Sequence, residues 1–265
     1  MSMLAQRVYR GLALLSLITL LAACAGTGPA GISLDRSIKA KGQDSRVEFV
    51  VIHYTSAGDA TSLKVLSEHK VSSHYLITQT APRQVYQLVD ESQRAWHAGH
   101  SEWYGRTYLN NASIGIEIAN RGNETGHWEP YSTEQIKALA ILLKDIVARH
   151  DIKARDIVGH SDIAPQRKID PGPLFPWKAL AAEGIGRWYD ESLAQTYSAE
   201  FQAKGLPGPG WIQNELRRVG YATPDTGVLD SATRNVIAAF QMHYRPALYD
   251  GYPDAQTLGI LRALP

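Results

Sequence analysis

With 265 residues, 44% of them hydrophobic, and a formal net charge of +1, the chain has the composition of a folded globular protein, not of a disordered or membrane-spanning one. Its charges form no run of one sign, so composition gives no support to a nucleic-acid partner. The single cysteine, Cys24, excludes disulfides and cysteine metal sites within the chain.

The first residues read as an export signal. Arg7 and Arg10 precede an apolar run from Leu12 to Leu21, and small residues lead on to Cys24, so residues 1–23 are expected to be removed rather than folded. Leu21-Ala22-Ala23-Cys24 resembles a bacterial lipobox, in which the cysteine carries lipid as the first residue of the mature protein; simple secretion with an incidental cysteine is the alternative. Ala25 stands where aspartate would signal inner-membrane retention, so this resemblance implies an outer-membrane lipoprotein facing the periplasm, anchored to the membrane by lipid. Residues 24–45, rich in Gly, Ser, Lys and Asp, would be the lipidated cysteine and a flexible tether.

A domain spanning 46–190 follows. Val47 to Ile52 has the β-branched, apolar character of a buried strand, with His53 at its end, and further strands are expected over His74–Gln79, Gln84–Val89 and Ser113–Ala119. A short helix is expected over Ala60–His69. The clearest helix runs from Ser132 to His150: Ile136, Leu139, Ala140, Leu143, Ile146 and Val147 share one face, and Ser132 with Gln135 forms a capping box. Strands mixed with helices indicate an α/β domain around a central sheet. Residues 191–209 read as a linker, with the glycine- and proline-rich Lys204 to Gly210 as a hinge across its end. Beyond it, residues 210–265 should form a small three-helix domain over Trp211–Val219, Asp230–His243 and Asp254–Leu264, with Asp230 and Asp254 as N-caps. A unit that small suits binding better than catalysis.

The chemistry-bearing residues stand at strand ends and in loops. His53 closes a strand, His160 lies in Gly159-His160-Ser161-Asp162, and Asp170 lies in Lys168-Ile169-Asp170-Pro171-Gly172-Pro173. Two imidazoles and a carboxylate are a suitable ligand set for a catalytic zinc with one open position. Their spacing alone leaves structural histidines as an alternative. Glu117 sits in an alternating strand, where it needs a cleft to face if it is to stay solvated. Lys168 stands two residues before Asp170 and, in an extended segment, would point to the same side.

Six segments together resemble the zinc-dependent N-acetylmuramoyl-L-alanine amidase family, which also includes the peptidoglycan-recognition proteins. They are Val51 to Thr55, Ser73 to Ile77, Arg94 to Gly99, Ser113 to Glu117, Gly159 to Pro165 and Lys168 to Pro173, in family order. The resemblance implies a mixed β-sheet flanked by helices, one zinc per chain on His53, His160 and Asp170, Glu117 as general base and Lys168 as catalytic lysine. It implies hydrolysis, by zinc-activated water, of the amide between the lactyl group of N-acetylmuramic acid and L-Ala of the stem peptide. Peptidoglycan and muropeptides are then the substrates, and a monomer is expected. The alternatives are a non-catalytic peptidoglycan sensor and a zinc peptidase cutting within the stem peptide. Substrate contact is expected from His97 and from Trp96, the latter either a sugar platform or core, with His74 lining or supporting the cleft. Tyr104 and Arg106 could meet stem-peptide carboxylates or be plain loop residues. His69, His100, His127, His150 and His243 read as surface or packing residues. Residues 210–265 resemble the three-helix peptidoglycan-binding domain appended to wall hydrolases, with the Tyr244 to Tyr249 stretch as a departure. Such a module should act by concentrating the enzyme on an insoluble substrate, apart from the chemistry.

Overall fold

A computed structural model describes Ile32 and residues 34–265; the export signal and Cys24 lie outside the described residues. The chain divides after Asp44 into two units. In the first, residues 34–44 hold no helix or strand. The second carries β1 (Phe49–Tyr54), α1 (Asp59–Glu68), β2 (Tyr75–Ile77), β3 (Tyr86–Gln87), β4 (Glu102–Trp103), β5 (Arg106–Thr107), β6 (Ser113–Ile118), α2 (Thr133–His150) and β7 (Ile157–Gly159). The one-turn α3 (His160–Ile163), α4 (Trp177–Ala182), α5 (Glu191–Lys204), α6 (Pro209–Arg218), α7 (Ser231–Tyr244) and α8 (Ala255–Ala263) complete it. Among the described residues no helix is long and apolar enough to cross a membrane.

Five strands form a sheet in the order β3-β2-β6-β1-β7, with β1 parallel to both β6 and β7, β2 parallel to β6, and β3 antiparallel at one edge. It is the mixed sheet expected. Alternation assigns its faces. Val50, Ile52, Ile114, Ile116 and Ile118 point to one side, where Leu139, Leu143 and Ile146 of α2 cover them. Each such fully buried side chain contributes roughly 1.5–3 kcal/mol. Phe49, Val51 and His53 of β1, and Ser113, Gly115 and Glu117 of β6, therefore face the other side. The α2 capping box is complete: Ser132 Oγ accepts from the Gln135 amide, and Gln135 Oε1 accepts from the Ser132 amide, both at 3.1 Å.

Two expected strands are cut short. Beyond Ile77, the Gln79 and Thr80 amides donate to the Asp59 carboxylate at 2.7 and 2.9 Å instead of extending the ladder. The 191–209 segment is not a linker through most of its length. Asp190 accepts from the Leu193 amide at 2.9 Å and starts α5, which packs along α8. Their approach depends on Gly259, where a Cβ would stand 2.2 Å from Ser198 Oγ and 2.6 Å from the Ala194 carbonyl oxygen. The three helices expected over 210–265 are present as α6, α7 and α8, and α5 packs beside them. Asp230 and Asp254 cap α7 and α8 as expected, each accepting an amide at 2.7 Å. The apolar core of these helices, with Ile212, Leu216, Val236 and Phe240, is continuous with Phe49, Val51, Val158, Ile163 and Ala164 of the sheet domain. The expected boundary is therefore not a break in the core.

Candidate active site

His53, Glu117 and His160 meet because three parallel strands end together. His53 and Glu117 are register partners on β1 and β6, so their side chains leave the same face side by side. His160 is the first residue after β7, the neighbour of β1 on its other edge. The carboxyl ends of parallel strands commonly hold such sites. Asp170 returns from the loop after α3, where its carbonyl accepts from the Ser161 amide at 2.8 Å.

His53 Nδ1, His160 Nδ1 and Asp170 Oδ2 converge, with separations of 3.0, 3.0 and 3.1 Å, and all three residues are buried. One proton arrangement satisfies the surrounding bonds. Ser113 Oγ donates to the Leu109 carbonyl at 2.6 Å and accepts from His97 Nε2 at 3.2 Å. His97 Nδ1 then accepts from His53 Nε2 at 3.0 Å, which leaves the His53 Nδ1 lone pair free. His160 Nε2 donates to the Ala98 carbonyl at 3.2 Å, which frees its Nδ1 in the same way. Three acceptors then crowd one point without a proton among them. That arrangement suits a cation, and the separations approach the edge of about 3.3 Å in a tetrahedron with bonds of roughly 2 Å. Among the described residues, His53, His160 and Asp170 are the group placed to hold a metal ion.

The same three groups are coupled electrostatically, and without a cation among them the imidazoles stabilise the carboxylate in its place. Burial, and then the neighbouring His160, pushes the His53 imidazole down to about 4, so it is neutral. Burial works to raise the Asp170 carboxyl, but His160 and His53 overcome it and hold the group well below the usual carboxylate range. Burial and the Asp170 charge push Glu117 up to about 8 against the opposing pull of Lys168. Its buried Oε2 has no hydrogen-bond partner. A cation held by His53, His160 and Asp170 would oppose that rise and favour the carboxylate, the form able to take a proton.

These residues floor a cleft of about 360 Å³, walled by Tyr54, Trp96, His97, Arg167, Lys168 and Ile169 among others. Trp96 is 51% exposed on that wall, with Arg94 over its ring at 4.1 Å, so it belongs to the surface and not to the core. Lys168 and Asp170 reach the same cleft from a segment without regular structure. His97 lines the cleft, but both its nitrogens are engaged by His53 and Ser113, so the expected substrate contact becomes a support for His53. Its ring lies over Gly115, where a Cβ would come within 2.4 Å of it. His74 does not reach the cleft surface. Its Nδ1 accepts from the Gly115 amide at 3.0 Å and its Nε2 donates to the Gln93 carbonyl at 3.2 Å, which corrects its expected place among the substrate-binding residues. Tyr104 and Arg106 lie elsewhere: the Tyr104 hydroxyl accepts from Arg187 at 2.8 Å, and Arg106 pairs with Glu48 at 3.3 Å.

Sequence reasoning missed Ser113, Asn110 and Asp162. Ser113 carried a signal, being two and four residues from Gly115 and Glu117 on one strand face. Asn110, in a 3-10 turn over Leu109–Asn111, accepts through Oδ1 from the His97 and Ala98 amides at 3.1 and 2.7 Å, which only the fold reveals.

The sequence profile of the N-acetylmuramoyl-L-alanine amidases matches residues 43–173, and that of a peptidoglycan binding domain matches 207–261. The chain is 44% identical to N-acetylmuramoyl-L-alanine amidase AmiD of Escherichia coli over 92% of its own length and 93% of that protein. AmiD solved with the substrate anhydro-N-acetylmuramic acid-L-Ala-D-gamma-Glu-L-Lys superposes with a TM-score of 0.80 at 42% identity, covering 90% of this chain and 96% of that one. AmpDh3 of Pseudomonas aeruginosa in complex with anhydromuramic pentapeptide gives 0.82 at 40% identity, covering 89% and 97%. Its sheet, its site and its sequence agree in this: the chain belongs to the N-acetylmuramoyl-L-alanine amidase family and hydrolyses peptidoglycan.

Proposed function

We propose that the chain is a zinc amidase that cuts between the lactyl group of the muramic acid and L-Ala, and that it accepts muropeptides with anhydro as well as ordinary muramic acid. The observation that carries the zinc is the convergence of His53 Nδ1, His160 Nδ1 and Asp170 Oδ2 to within about 3 Å of one another, beside a buried Glu117 Oε2 that has no hydrogen-bond partner. Zinc held there would polarise the scissile carbonyl and acidify water close to it. Glu117 takes the proton of the attacking water and returns it to the departing amine of L-Ala. Lys168 offers an ammonium to the oxygen on which negative charge develops. Trp96 presents an exposed aromatic face to the sugar or peptide. His97 and Ser113 hold His53 in its tautomer. Anhydro sugars enter the reading because both solved relatives above carry such ligands.

The test is digestion of N-acetylmuramyl and anhydro-N-acetylmuramyl tripeptides by protein beginning after Cys24, with products identified by mass. Free tripeptide and free sugar acid are expected, and removal of zinc by a chelator should abolish turnover while zinc restores it. Fragments cut within the peptide, or full turnover by metal-free protein, would overturn the reading. Cys24 is proposed to carry the lipid that holds a monomeric enzyme at the outer membrane, supported by the sequence Leu21-Ala22-Ala23-Cys24 after an apolar run. Cys24→Ser should move the protein to the soluble fraction; retention at the membrane would count against the anchor.

A further inference from the structure

Asp162 is buried two residues past His160, in the turn that joins β7 to the metal-ligand loop. Its carboxylate is satisfied from two directions. Within the turn, Oδ2 accepts from the Gly159 amide at 2.7 Å, which fixes the geometry on either side of His160. From the C-terminal unit, the Tyr221 hydroxyl, in the connection between α6 and α7, donates to Oδ1 at 2.7 Å, and His243 Nδ1 of α7 donates to Oδ2 at 2.8 Å. Both donors are themselves held. The His243 ring is stacked between Trp177 and Tyr244, each at 4.0 Å between centroids and within 10° and 18° of parallel. Tyr221 is 1% exposed and packs edge-on against Trp103 and Phe240.

A second pair of contacts grips the same loop farther on. Gln166, one residue before the cleft-lining Arg167 and two before Lys168, donates to the Ala232 carbonyl and accepts from Asn235 Nδ2, both at 2.9 Å and both from α7. The segment from His160 to Asp170 thus carries two of three proposed ligands and two cationic cleft residues. It has only one turn of helix of its own, and the C-terminal helices clamp it at two points.

We infer that Tyr221 and His243 are positioning residues for the amidase reaction: through Asp162 they orient the turn that presents His160, so the C-terminal unit builds part of the active site in addition to any wall binding. This rests on the reading of His160 as a metal ligand. Partners that orient a ligand typically change metal affinity or activity by about 10–100-fold when lost.

The test uses the full chain after the export signal with Tyr221→Phe and His243→Gln, and with Ile260→Val as a control for buried loss in α8, which supplies none of the hydrogen-bond partners of the Asp162 carboxylate. Turnover and KM are measured on a soluble muropeptide, zinc affinity by competition with a chelator, and the His160 ring nitrogens by NMR in metal-free protein. Tyr221→Phe should lower kcat and zinc affinity each by about tenfold, leave KM within about twofold, and shift the His160 ring signals. His243→Gln, which keeps one donor for Asp162, should do so less. Ile260→Val should lower thermal stability alone. Wild-type values in both variants, or losses matched by the control, would overturn the inference. A wild-type protein that binds no zinc would instead defeat the zinc reading, with the His160 signals and kcat still deciding whether the C-terminal helices position the turn.

Discussion

The two walls of the cleft are built by different means. On one, His53 and Glu117 are neighbours because β1 and β6 are in register, and the ladder that pairs them is backbone. On the other, His160 opens the one-turn α3 and Lys168 and Asp170 stand on the loop after it, a segment held through Asp162 by side chains 59 and 81 positions later in the chain, at Tyr221 and His243. A sheet sets distances between adjacent strands almost regardless of distant sequence. A loop takes its shape from whatever satisfies its buried polar groups. The first wall should therefore tolerate changes outside its strands, and the second should not.

Removing the C-terminal helices, by ending the chain at Lys204, is the harshest way to break this comparison. Asp162 would lose two hydrogen bonds, and Trp103, Val158, Ile163 and Trp177 would lose apolar cover. The expected outcome is loss of activity on soluble muropeptides as well as on sacculi, together with a large fall in melting temperature. A truncated protein that melts normally and turns over small substrates at the full rate would return the C-terminal unit to a purely wall-binding role.

Glu117→Gln sharpens the comparison from the strand side. It keeps the shape and removes the proton acceptor, so kcat should fall by about a hundredfold or more while zinc affinity stays within a few fold. His53→Ala should lose zinc as well, because it removes a proposed ligand. Loss of zinc from Glu117→Gln would put Glu117 among the ligands and break the division of roles.

Much of the strand wall was legible in the sequence, because alternation is a local code. Ile114, Ile116 and Ile118 on one face force Ser113, Gly115 and Glu117 onto the other, and the Ser132–Gln135 capping box announced α2. The loop wall was not. β7 is three residues long, too short for a period to show, and α5 buries only Ala194 and Phe201 fully, so its pattern resembled a linker. His243 looked like any histidine on a small helix, since nothing near it in sequence points to Asp162. His97 looked like a substrate contact because a motif specifies a place near a cleft without saying which partners its nitrogens take.

The smallest expected effect lies on the strand wall's outer edge, away from the cleft. The Glu91 carboxyl accepts from Tyr75 of β2 at 2.6 Å, from Arg149 of α2 at 2.9 Å and from His150 at 2.8 Å. The Arg149 bonds, against burial and with help from Tyr75 and His150, hold it down at about 2. Its folded pKa lies below the unfolded value, so the stabilisation is present above about 4.5 and is lost as pH falls through about 2. Taken whole, such a shift corresponds to about 3 kcal/mol. Arg149 is 41% exposed, however, so solvent screening reduces the expected contribution to about 1 kcal/mol. Glu91→Gln should therefore lower unfolding stability by about that amount at pH 7, by progressively less below pH 4.5, and leave kcat unchanged because the strand register survives. Urea unfolding of both proteins from pH 7 to pH 3 would check it. A gap that stays constant across that range would mean that Glu91 acts through packing rather than charge, and a fall in kcat would mean that the backbone ladder is less self-sufficient than the comparison of the two walls requires.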